Sequence, residues 1–87
     1  MATKFQIYDV VRVVRLPDSA LSSVESGFSA PQIGDTGTVV MVYEQPREGY
    51  TVEAVAADGM TDWLLDFLPE DLEIVWRDHD HVASYEG

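Results

Sequence analysis

Apolar positions in this chain recur with a period of two. The clearest case is Tyr50–Ala57 (YTVEAVAA), where Tyr50, Val52 and Ala54 share one side and Thr51 and Glu53 the other. In Met60–Phe67, Thr61, Trp63, Leu65 and Phe67 share a face, and Asp62, Leu64 and Asp66 lie opposite. Asp58-Gly59 between these two runs predicts a hairpin turn. An earlier strand is predicted at Thr38–Tyr43 (TVVMVY), after the turn signal Gly34-Asp35-Thr36-Gly37. The hydrophilic turn Glu44–Gly49 separates it from Tyr50. The first strand is predicted at Tyr8–Leu16 (YDVVRVVRL), with Arg12 and Arg15 at solvent positions and Pro17 ending it for want of an N–H.

Between Pro17 and Ile33 the alternation disappears, and a long connection is predicted there. Leu21, Val24 and Phe28 are spaced to tuck it down onto the domain. Leu68–Leu72 (LPEDL) reads as one helical turn, with Pro69 in the first turn and the acids that follow complementing the positive end of the helix dipole. Glu73–Trp76 is a last short strand, and Arg77–Gly87 is an unpatterned tail expected to fray. No window carries helical spacing, and the chain reads as free of internal repeats. The predicted organisation is an N-terminal extension over 1–7, one domain over 8–76 and a C-terminal tail over 77–87. Five short strands, a long first loop and a one-turn helix before the last strand predict an all-β fold, a small SH3-like barrel.

Composition agrees with that class. Valine outnumbers leucine 12 to 6, and with 3 Ile and 5 Thr the β-branched residues suit a pleated surface. The chain has 87 residues, enough for one small domain, and 46% of them are apolar, enough for a core. There is no cysteine, hence no disulfide, thiol nucleophile or cysteine-based metal site. Nothing approaches the roughly 20 apolar residues of a membrane span, and Met1–Val10 has no signal-peptide core, so a cytoplasmic location is expected.

Charge carries the main functional signal. Lys and Arg number 5 against 16 Asp and Glu, for a net charge of −11. That balance excludes nucleic acid and anionic membranes as direct partners. The acids concentrate in the second half. Glu53, Asp62 and Asp66 are expected to project outward around the Asp58-Gly59 hairpin, with Glu70, Asp71 and Glu73 extending the field. Such a surface either solubilises the domain or docks a basic protein by steering its approach. The candidate partner-binding residues are Glu53, Asp62, Asp66, Glu70, Asp71 and Trp76, the last as an apolar anchor at the end of the last strand. A toxin, a nuclease or a DNA-binding regulator would fit the partner's chemistry. Tyr43, Tyr50, Trp63 and Trp76 also raise the possibility of an aromatic peptide groove, although Trp63 reads as core. A second reading is a structural accessory or homodimer, because the valines of Val10–Val14 exceed what one interior face uses.

Catalytic chemistry finds little support, and no enzyme, cofactor or metal is expected. The two histidines, His79 and His81, alternate with Asp78 and Asp80 in the tail, a spacing without preorganisation for a metal. No glycine-rich loop leads into a helix to cradle phosphate.

The ordered elements resemble a family of small, functionally uncharacterised bacterial SH3-like domains. They are Tyr8–Val11 with Leu16-Pro17, Gly34–Tyr43, Tyr50–Glu53, Asp58–Thr61, and Leu68 with Asp71-Leu72. The resemblance spans about Tyr8 to Val75 and departs from the family in the longer first loop and in Ala54, where Phe is usual. It assigns the freed volume to Trp63 or Phe28. It implies a fold and no agreed activity, with genes often lying beside toxin-like or mobile-element genes.

Overall fold

The computed structural model describes residues 3–17 and 27–77. Leu21, Val24 and the Asp78–His81 stretch lie outside them. Five strands form one antiparallel sheet: β1 (Val10–Val13), β2 (Thr36–Tyr43), β3 (Gly49–Val55), β4 (Thr61–Phe67) and β5 (Leu72–Trp76). A single 3₁₀ turn, Pro69–Asp71, precedes β5. The order across the sheet is β4-β3-β2-β1-β5, so β4 and β5 are its edges and hydrogen bonding does not close it.

The predicted facing of β3 and β4 holds except at Thr61, which the register shift at Ala54/Val55 sets opposite the exposed Val55, with its hydroxyl on Glu53 instead of beside Trp63. Tyr50, Val52, Ala54, Trp63, Leu65 and Phe67 are buried together with Val11, Val13, Val39 and Leu72. Ala54 pairs directly with Trp63, a small residue beside the indole, and Phe28 packs half-buried against the same cluster. Register shifts at Val10/Val11, Val39/Met41 and Ala54/Val55 mark irregularities that bend the sheet around this interior. Gly37 must be glycine, since a Cβ there would lie 2.8 Å from the backbone oxygen of Glu53.

Two expectations change. The N-terminal segment is part of the fold: Phe5 is wholly buried, its ring edge-on to Tyr50 at 5.1 Å. And β1 is shorter than Tyr8–Leu16. Its start is cut by a turn in which Tyr8 adopts a left-handed φ of 76°. Its end is cut where the Val14 N–H turns to the Asp71 carbonyl at 2.8 Å.

That first turn has a twin, so the chain does contain an internal repeat. Gln6-Ile7-Tyr8-Asp9 and Gln32-Ile33-Gly34-Asp35 close in the same way. In each, the Asp carboxylate accepts the Gln N–H at 2.9 Å and the Asp N–H returns to the Gln carbonyl at 3.0 Å. The third residue is left-handed in both, Tyr8 at 76° and Gly34 at 96°. Each turn then brackets the other's strand. Tyr8 N–H and Asp9 C=O bond the backbone of Val39, and Gly34 N–H and Asp35 C=O bond that of Val13. The pairs Val10–Thr38, Val11–Gly37 and Arg12–Thr36 are therefore related by a local twofold axis through Val11 and Gly37. A third closure of this kind joins Leu68 to Asp71.

Candidate docking face

The antiparallel register builds one continuous row across all five strands. Trp76 pairs with Val10, Val10 with Thr38, Thr38 with Glu53, and Glu53 with Leu64. At about 4.8 Å per strand the row runs about 19 Å along the sheet. The side chains of Val10, Thr38, Glu53 and Leu64 alternate with the buried set and so occupy the outer face. Trp76 stands two residues from Ile74, which packs on the core, and it is the register shift at Val10/Val11 that sets it opposite Val10. Trp76 and Leu64, at its ends, are 43% and 39% exposed. Asp62 and Asp66 flank Leu64 on β4 and share its face. Three candidate residues, Glu53, Asp62 and Asp66, thus come together around Leu64, while Trp76 stands at the opposite edge of the sheet, about 19 Å along the row.

The other two do not belong to this face. Asp71 is 0% exposed. Its Oδ2 accepts the Leu68 N–H at 3.0 Å, and its Oδ1 meets Arg15 Nε at 3.2 Å as an ion pair outside hydrogen-bond alignment. The carboxylate is consumed in closing the 3₁₀ turn and cannot extend an outward field. Glu70 is exposed but sits on that turn, outside the sheet register. Glu73, expected to add to the field, is neutralised across the β1–β5 pair by Arg12 at 2.6 Å.

Four of the five lysines and arginines, all but Arg47, are engaged elsewhere. Among the described residues the ion pairs are Arg12–Glu73, Arg15–Asp71 and Arg77–Asp9, and none takes up Glu53, Asp62 or Asp66. Lys4 lies over the Phe5 ring and donates to the carbonyls of Pro69 and Leu72. Two of the outer-face acids, Glu53 and Asp66, are held by hydroxyls instead. Thr61 donates to Glu53 at 2.6 Å. Thr51 donates to Asp66, which obliges the Tyr43 hydroxyl, 3.2 Å from Thr51 Oγ1, to donate in turn to Thr51. These bonds fix the two carboxylates in place without a cation.

Asp66 and Tyr43 also border an open groove of about 690 Å³ between the β2–β3 turn and the end of β4. Of the other aromatics weighed for a groove, Tyr50 and Trp63 are buried in the core. Trp63 donates its indole N–H to Asp35 at 3.2 Å. The row residues Val10, Thr38 and Leu64 escaped the sequence reading as partner contacts, because their adjacency depends on strand order and register. For Leu64 the signal was its alternation between Asp62 and Asp66.

Among the described residues no group of His, Asp and Glu could hold a metal ion, and no helix is long and apolar enough to cross a membrane. Comparison with protein-family models, with curated proteins and with solved structures yields no match.

Proposed function

We propose that this chain is a non-enzymatic interaction domain that docks a basic protein on the outer face of its sheet. The observation that supports this best is the cross-strand row Trp76–Val10–Thr38–Glu53–Leu64, with Asp62 and Asp66 beside it and no cation paired to its acids among the described residues. Uncompensated charge raises the encounter rate with a cationic surface and orients it. Exposed apolar side chains at the ends of the row supply the area that holds the complex after encounter. On this reading the strand order and the 3₁₀ turn before β5 are those of an SH3-like barrel left open between its edge strands, in line with the family resemblance of the sequence.

The test is capture of a basic protein from host lysate at low salt, followed by association kinetics with single charge reversals. Asp62→Lys should slow association and flatten its salt dependence. Glu70→Lys, an equal charge change outside the sheet register, should do so far less. Equal effects would mean that net charge alone drives binding and would remove the docking face.

A further inference from the structure

We infer that the groove between the β2–β3 turn and the end of β4 receives an arginine side chain of the docked protein. This deepens the docking reading and rests on it. The groove holds about 690 Å³, within the range of about 300–1,000 Å³ common to ligand sites. Pro17, Pro46 and Leu68 give it apolar walls, and Tyr43 adds an aromatic one. An arginine stem packs along such walls while its planar head stays at the polar rim.

The rim is built for a cation. Asp66 lines the groove, and its Oδ1 is fixed by Thr51, which itself accepts from Tyr43. Among the described residues its Oδ2 accepts no hydrogen bond, which leaves that oxygen for a guanidinium N–H. Glu48, also on the rim, carries its carboxylate on Tyr50 and the Lys4 N–H, with a pKa below the usual carboxylate range mainly because of the Tyr50 bond, so it stays negative. Charge complementarity thus selects a cationic side chain, and Tyr43 with the prolines favours a stacking guanidinium. Arg47, exposed on the same lip, competes for that position.

The experiment titrates the isotope-labelled full chain with N-acetyl-arginine methylamide, using the citrulline analogue as the uncharged control, and follows amide shifts. The arginine probe should give saturating shifts at Gly49, Asp66 and Leu68, and the citrulline probe should not. Asp66→Asn, which keeps an acceptor for Thr51, should weaken binding about ten-fold, the worth of one charge-assisted hydrogen bond. Arg47→Ala should strengthen it. Equal binding of the two probes, or no loss on Asp66→Asn, overturns the inference. An arginine-rich decapeptide separates this from the docking reading. Shifts along the Val10–Leu64 row without groove shifts refute the groove alone. Saturating arginine binding in the groove with an unresponsive row refutes the docking face alone.

Discussion

Tyr50 donates its hydroxyl proton to the carboxylate of Glu48, two residues before it, and accepts the N–H of Phe5 at 3.1 Å. Glu48 also accepts the Lys4 N–H at 3.0 Å. This one pair therefore ties the N-terminal segment to the core strand β3. Tyr50→Phe keeps the ring contact with Phe5 and strands the Phe5 N–H, so it should cost about 1–2 kcal/mol in urea unfolding.

The same pair makes stability depend on pH at both extremes. Burial, and then the bond to Glu48, push the Tyr50 hydroxyl above its ordinary value. Its contribution is full below about pH 10 and is lost as pH rises through the folded-state value. Glu48 is shifted down, chiefly by the Tyr50 bond, so its contribution is present at neutral pH and lost on acidification below the usual carboxylate range. Melting curves of the wild type should fall more steeply above pH 10 than those of Tyr50→Phe. Parallel curves would show that the pair is not coupled to folding.

Two glycines separate strain from collision. Gly34 has a φ of 96° with open space where a Cβ would go, so Gly34→Ala should cost about 1 kcal/mol through conformation alone. At Gly37 a Cβ would press against the Glu53 backbone, and Gly37→Ala should cost about 3 kcal/mol by overpacking on the twofold axis. Urea midpoints should rank the two variants in that order.

Aspartates of identical type should behave oppositely. Asp71→Ala removes a buried carboxylate that caps the 3₁₀ turn and pairs with Arg15, and should destabilise by about 2–3 kcal/mol. Asp62→Ala, exposed on β4, should stay within about 0.5 kcal/mol of wild type. Thermal denaturation of the two variants checks the assignment of one acid to the fold and the other to the surface.

That contrast marks the limit of what the chain discloses by itself. The facing of Tyr50, Val52 and Ala54 and of Trp63, Leu65 and Phe67 was readable because each run alternates strictly against a single buried side. The ends of β1 were not, since the valines continue past the point where the backbone turns to Asp71. Asp71 and Glu73 read as surface charge because composition does not reveal which carboxylate a backbone N–H or a cross-strand arginine will claim. A usable signal did exist in Gln-Ile-x-Asp, written twice, each time just before a β-branched residue. Its third position held Gly once and Tyr once, which hid the shared left-handed turn. The outer-face row needed the strand order, and no local pattern encodes that.

The central claim is that the basic partner meets one row of residues and not the negative charge at large. Chemical-shift mapping with the arginine-rich decapeptide tests it most directly, with the Trp76 indole N–H as an independent reporter. The account predicts perturbations running through Trp76, Val10, Thr38, Glu53 and Leu64, fading as salt is raised. Shifts spread evenly over Asp58, Glu70, Glu73 and the other exposed acids, with the Trp76 indole unmoved, would contradict it.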